Sequence, residues 1–398
     1  MASNNSGKIG LATATITGMN AMIGAGIFTA PAILARNVGP AGILSYLFVI
    51  CSVWFMAQSI ARVAHLFPRE GSFYAYAKPW GGHIVGVMSA AFYIIGLTIA
   101  VSLLTHTAGR LLQTFFPQAS STILGLICLS ILIVVNMFGA ALSQLGQRIL
   151  ICCTIFPVLA TITMCLFNAD FSLLKPFAPH GLGNVMRSTR LVIFGFFGFE
   201  SAASLFNLVR NPGKNVPRAL TYSILLVGAL YILFVGSIIL AVPLNLFASP
   251  EIPLSETLKL VFPSAPWLIS IIHISILSAV LGTIHSIIWG SSNLLVSLVK
   301  KMKNSISRAA INKQIINPKT SVLLIGICVF ISFATIKNLV LFFDLAAIFI
   351  VFAYVSSMIT LLTLKKEWRS GQNIKTILGI GTALAMIAFA LQSVWQQL

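Results

Sequence analysis

The sequence predicts an all-α integral membrane protein, a single transmembrane domain over 1–398 with about eleven membrane-spanning helices, the first and sixth of them broken. Three observations predict it. Of the 398 residues, 58% are hydrophobic and only 8% are charged, with a mean hydropathy of +0.98, too apolar to wrap a soluble core in a polar surface. The apolar residues gather into runs long enough to cross a bilayer, which takes about 20 residues each. Two of these runs are interrupted by glycine-rich, non-periodic stretches, Ile23-Gly24-Ala25-Gly26-Ile27 and Phe197-Gly198-Phe199-Glu200-Ser201.

In chain order the first span is predicted over 9–35. It follows a short polar start with one cation, Lys8, and is too long for the core of a cleavable signal, so it is expected to stay in the protein. Spans at 41–66, 84–113, 121–142 and 148–168 follow. The sixth, 187–209, contains the second interruption, and the seventh covers 218–243. A proline-rich connector at 244–264, with Glu251 and Glu256, leads to a long eighth span, 265–299. The loop 300–319 holds six cations and reads as a solvated connector lying on an anionic leaflet. Spans at 320–336, 339–364 and 374–395 complete the chain.

The net charge of +18 would suit a nucleic-acid partner, but its placement argues otherwise. With the amino terminus inside, 18 of the 25 Lys and Arg residues fall at the inner ends of spans, as the positive-inside rule requires. The expected setting is a cell membrane, plasma or bacterial inner, with lipid as neighbour, a cytoplasmic N-terminus and no nucleic acid. All six cysteines lie inside spans, without a CxxC pair or a histidine cluster, so they read as packing residues; neither metal nor cofactor is predicted.

The interrupted spans sit five apart, an odd number, and so enter the membrane from opposite faces. That is the geometry of an inverted repeat, 9–168 against 187–364, with 374–395 as an additional helix. Arg36-Asn37-Val38-Gly39-Pro40 after the first break and Arg210-Asn211-Pro212-Gly213 after the second echo it. Backbone that is not helical at membrane depth is tolerated only where protein or ligand satisfies its polar groups, and paired interruptions in two halves point to the midplane site of a secondary transporter. A half-helix starting near Gly26 offers N–H groups and the positive end of its dipole, which suit a carboxylate. A half-helix ending near Phe197 offers carbonyls, which suit an ammonium. Together they describe a cradle for a zwitterion. The competing explanation, that these glycines are close-packing seams, fits an isolated Gly-x-Gly better than two matched breaks.

Glu200 lies near mid-span, where a carboxylate costs about 2.5–3.5 kcal/mol unless paired, protonated or wet. Its neighbours Arg190 and Arg210 are ten positions away on either side, about 15 Å along a helix, too far to pair with it. It is expected to take up a proton, gate the site or attract a cationic substrate; the alternative is a protonated side chain bonded to backbone. His285, Trp289 and Asp344 are candidate pocket-lining residues, although a lone histidine in an apolar helix is commonly an interior hydrogen-bonded group, the reading favoured for His273, and Asp344 is equally suited to reaching outer water. Phe194, Phe196, Phe197 and Phe199 crowd the second break as lids or as filler.

These stretches resemble the amino acid–polyamine–organocation superfamily of permeases. The match rests on Gly18 to Phe28, like the family's Gly-x-Gly-Ile-Phe break; on Phe67-Pro68-Arg69-Glu70-Gly71-Ser72-Phe73-Tyr74-Ala75-Tyr76; on Gly198-Phe199-Glu200-Ser201 with Asn211-Pro212 and Asn215-Val216-Pro217-Arg218-Ala219; and, more weakly, on Ser286 to Leu295. It covers about residues 8–365. The resemblance implies a five-plus-five inverted-repeat transporter fold and an amino-acid or related amine substrate. It implies a substrate site along Met22, Ile23, Gly24, Ala25, Gly26 and Ile27 and along Phe194, Phe197, Gly198 and Phe199. In it the amides near Ala25, Gly26 and Ile27 hold the carboxylate, and the carbonyls of Met22, Phe194 and Phe197 hold the amino group. Phe194 stands at the place of an aromatic gate and Glu200 at that of a gating glutamate. Three departures are visible: Thr154 replaces the lysine of proton-coupled members, Ala25 replaces a serine or threonine, and eleven spans replace the usual twelve.

The expected function is therefore amino-acid transport by alternating access, as exchanger or proton-linked permease. A transporter-like sensor that binds without moving substrate is one alternative. A membrane-embedded enzyme is another, but no second acid, base or metal ligand lies at close spacing to support it.

Overall fold

The computed structural model describes all residues except 1–7, 25, 70, 248–253, 303–311, 313–314, 337–338, 365–369 and 398. Ala25, Glu70, Glu251 and most of the 300–319 loop thus lie outside the described residues. The described chain is helical without strands: α1 Leu11–Met22, α2 Gly26–Val38, α3 Gly42–Leu66, α4 Ser72–Gln113, α5 Ser121–Met137, α6 Ala140–Phe167, α7 Leu182–Phe194, α8 Ser201–Ser204, α9 Pro212–Ala241, α10 Leu254–Val261, α11 Pro266–Lys301, α12 Pro318–Thr335, α13 Leu339–Thr363 and α14 Ser370–Gln397. Among the described residues, eight helical stretches are long and apolar enough to cross a membrane. The chain is a multi-pass membrane protein.

Local sequence accounts for three of the helix boundaries. Gly139, at φ +91°, separates α5 from α6, so α6 starts earlier than the span expected from Arg148 onward. Gly82, at φ +73°, breaks α4, so 72–81 forms a separate helical arm ahead of the span expected at 84–113. Both angles lie where a side chain is strained and glycine is not. Asn317 caps α12 reciprocally with Thr320.

The long helices pack around α4 and α11. α4 runs against α13, α5 and α11, while α11 also packs on α6 and α1, and α3 lies between α9 and α14. Ile123, Ile127 and Ile131 form an exposed stripe on α5, the outward apolar face that lipid requires. At one end, which we call the basic end because Arg62, Arg210, Arg218, Lys300, Lys301 and Lys375 gather there, Ile9 pairs in parallel with Val209. The Ile9 N–H donates to the Leu208 carbonyl at 2.7 Å, and the Arg210 N–H to the Ile9 carbonyl at 2.9 Å. This bridge ties the start of α1 to the end of the 187–209 segment.

Candidate functional site

α1 ends at Met22 and α2 begins at Gly26. Between them Ile23 leaves helical geometry at ψ +82°, with its N–H on the Met19 carbonyl at 2.8 Å, and the Gly24 N–H turns back to the Met22 carbonyl at 2.9 Å. Neighbouring helices help satisfy the carbonyls that a helix end leaves open. The Thr283 hydroxyl of α11 lies 2.7 Å from the Asn20 carbonyl and 3.2 Å from that of Ile23. The Tyr231 hydroxyl of α9 lies 3.0 Å from the Met22 carbonyl and 2.9 Å from the Gly195 carbonyl, so one side chain spans both non-helical segments. Its single proton goes to one of the two acceptors at a time.

In the second segment α7 ends at Phe194 and a run of turns follows to Glu200 before the four-residue α8. Gly198 sits at φ +101°, and a Cβ there would fall 2.8 Å from the Ala21 carbonyl oxygen. Gly26 lies at ordinary contact distance from Gly195: a Cβ on it would stand 3.7 Å from the Gly195 Cα. The two interruptions therefore meet backbone to backbone, and glycine permits the approach.

A cavity of about 40 Å³ lies where they meet, bordered by Met22, Gly24 and Gly26 from one segment and Gly195, Phe197 and Gly198 from the other. Leu97, Ala100 and Leu104 of α4, Thr283 and Ile287 of α11 and Ile350 of α13 close its sides. Among the described residues no charged side chain lines it. Ile23, Ile27 and Phe199 are buried beside it without lining it. Phe194 contributes backbone at the end of α7, and its side chain, like Ala25, lies outside the description.

Glu200 is fully buried one layer behind the Phe197–Gly198 wall, and among the described residues it is the one fully buried carboxylate. Tyr93 of α4 donates to Glu200 Oε1 at 2.6 Å. Tyr354 of α13 presents its hydroxyl to the same carboxylate without reaching hydrogen-bond geometry, and both that hydroxyl and Glu200 Oε2 are buried without a hydrogen-bond partner. Phe73 and Phe199 pack on the Tyr354 ring at centroid distances of 6.0 and 5.2 Å. Among the described residues no Lys, Arg or His is bonded to Glu200; its neighbours are aromatic.

His285 is also fully buried but faces away from the cavity. Its Nδ1 is 2.8 Å from Asn136 Nδ2 and its Nε2 is 3.1 Å from the Ser143 carbonyl, which only accepts, so Nε2 carries the proton. It joins α11 to α5 and α6. Trp289 is buried farther along α11, and Asp344 is half-buried near the start of α13; neither lines the cavity. Thr154 is buried, with its hydroxyl on the Leu150 carbonyl and its own carbonyl accepting from Ser275. From α6, Gln147 faces α1 and accepts from Asn20 at 2.6 Å and from Ser286 at 2.8 Å, and Arg148 reaches Thr13 of α1 at 3.4 Å. His273 bonds Ser255 at 3.0 Å.

Sequence reasoning missed Tyr231, Thr283, Tyr93 and Tyr354. A tyrosine hydroxyl in the middle of an apolar span usually has a polar group facing it, so three of them carried a usable signal; Thr283 carried none, since threonine commonly bonds to its own helix, as Thr283 also does with Ala279 at 3.0 Å.

A family model described as amino acid permease matches residues 14–394. Over 296 residues the chain is 25% identical to an uncharacterized transporter of Mycobacterium tuberculosis (strain H37Rv), a match covering 74% of this chain and 66% of that protein. It is 23% identical over 311 residues to the branched-chain amino acid permease of Bacillus subtilis, covering 73% and 66% respectively. It is 25% identical over 312 residues to the gamma-aminobutyric acid permease of the same organism, covering 72% and 64%. The chain thus spans just under two thirds of the length of these relatives.

Proposed function

The chain belongs to the amino acid permease family, and from that premise we propose that it is a secondary transporter moving amino acids across a cell membrane by alternating access, as an exchanger or a proton-linked permease. On this reading it crosses the membrane eleven times, with the first and sixth spans broken and 9–168 and 187–364 as inverted repeats. The meeting of the two non-helical segments around one cavity carries the proposal. Carboxylate binding falls to the first N–H groups of α2, where the helix dipole is positive. The amino group takes the Met22 carbonyl. Tyr231 supports this arrangement: with the ammonium bound, its hydroxyl turns to donate to the Gly195 carbonyl 2.9 Å away and keeps the two segments together while the Met22 carbonyl accepts from the ammonium.

The substrate side chain meets Leu97, Leu104, Ile287 and Ile350, which favours a small or branched neutral residue, the class named for one of the relatives. A cavity of this size holds about three water molecules, so substrate entry requires it to widen. Glu200 supports the proton-linked form. Oε2 and the Tyr354 hydroxyl both stand unpartnered, and a bond between them can form with Tyr354 donating to the carboxylate or with a protonated Glu200 donating to Tyr354, so the pair accommodates both protonation states. Its position behind the wall makes it a coupling group rather than a substrate ligand.

Reconstituted into liposomes, the protein is expected to take up labelled leucine, valine or alanine. Uptake driven by an imposed pH gradient and abolished by Glu200→Gln supports proton linkage through Glu200. Uptake that needs internal amino acid and ignores the gradient supports exchange. Binding without flux would overturn the transporter reading in favour of a sensor, and conversion of substrate into a new compound would do so in favour of an enzyme.

A further inference from the structure

At the basic end, a second cavity of about 450 Å³ opens between the last turns of α3 and the first turns of α9 and α14. Arg62, His65, Arg218 and Lys375 line it, and among the described residues no carboxylate does. Gln58, Ser59, Thr221 and Thr376 add neutral polar groups. Two guanidinium groups and an ammonium thus share one concave space with neutral polar groups, a donor set that suits a phosphate.

The cleft does not end in water on every side. Tyr222, 45% exposed, also borders an apolar groove of about 650 Å³ between α1 and α9, walled by Leu11, Ile16 and Met19 on one side and by Leu225 and Leu226 on the other. Along α9 the residues Arg218, Thr221, Tyr222, Leu225 and Leu226 follow one another at helical spacing, so a single stripe passes from charged to aromatic to aliphatic. Tyrosine suits such a boundary, with one end wet and the other apolar.

We propose that this slot binds one anionic phospholipid, with its phosphate in the Arg62–Arg218–Lys375 cleft and an acyl chain in the α1–α9 groove. A soluble phosphate would use the charge and leave the groove empty; a zwitterionic lipid would use the groove without net charge for the cleft. Basic clefts between transmembrane helices are suited to phosphate headgroups in this way. The acyl chain lies against Met19, three residues before the end of α1, so the bound lipid braces the half-helix that borders the central cavity.

The purified full chain is incubated with equal amounts of dioleoyl phosphatidylglycerol and dioleoyl phosphatidylcholine, and retained lipid is counted by native mass spectrometry. Preferential retention of phosphatidylglycerol, reduced about thirtyfold in the Arg62→Gln/Arg218→Gln variant at about fivefold per lost cation, is the expected result. Equal retention of the two lipids by the wild-type protein would overturn the proposal. So would an undiminished preference in the folded variant, or displacement of phosphatidylglycerol by millimolar inorganic phosphate, which identifies a free-phosphate site. If the double variant does not fold, Lys375→Gln, altering an exposed side chain, reads the same cleft with an expected fivefold loss.

Discussion

Tyr231 holds the two non-helical segments with one hydroxyl proton and two acceptors. Its ring is packed edge-on against Phe196 at 5.0 Å and Tyr46 at 6.1 Å, so removing the hydroxyl leaves the packing intact. Tyr231→Phe is therefore expected to fold. A net hydrogen bond of about 0.5–1.5 kcal/mol is lost, and the apparent substrate affinity should fall roughly three- to tenfold in isothermal titration. An unchanged affinity would show that Tyr231 is a passive cap. Gly198 is constrained more severely. Gly198→Ala forces a side chain into a φ of +101° and onto the Ala21 carbonyl, which costs about 1–3 kcal/mol for the backbone alone. The expected outcome is a lowered melting temperature together with loss of uptake. Wild-type uptake in that variant would mean that the two segments need not touch.

At the scale of elements, the Ile9–Val209 bridge links α1 to the far end of the second interrupted segment across the basic end. For α1 to swing away, its two hydrogen bonds must break. Ile9→Pro removes the N–H that donates to Leu208 and leaves the Ile9 carbonyl available to Arg210. Losing about 1 kcal/mol of this contact should raise the open-to-closed ratio at the basic end about fivefold, read as faster thiol labelling of a cysteine placed at Gly10. An unaltered labelling rate would remove the bridge from the transport cycle. α11 works differently: Thr283 and Ile287 face the cavity, while His285, between them in sequence, faces α5 and α6. One helix thus supplies both the pocket wall and the scaffold that holds it.

For the whole molecule, the distribution of charge predicts orientation. With the basic end in the cytoplasm, Lys300→Cys in a cysteine-free background should react with an impermeant maleimide only from inside, and Asn245→Cys only from outside. The reverse pattern would invert the topology and place the lipid slot in the outer leaflet. The apolar exterior and the single fully buried carboxylate among the described residues fit one design, in which aromatic rings surround Glu200.

Although α4 and α6 start earlier than hydropathy places them, the sequence by itself determined the membrane setting, most of the apolar helices and the two glycine-rich stretches where helical geometry is interrupted. These follow from hydropathy and backbone permissiveness, which are properties of neighbouring residues along the chain. It also singled out Glu200, because a carboxylate in an apolar run is conspicuous. Only the tertiary structure decided that Thr283 rather than His285 faces the cavity, that Glu200 stands behind the wall with Tyr93, and that Tyr231 reaches Met22, 209 residues away. Those facts depend on the rotation of each helix about its axis, which is set by how the helices pack together, and an apolar span that is hydrophobic on all sides carries no periodic pattern from which to read it.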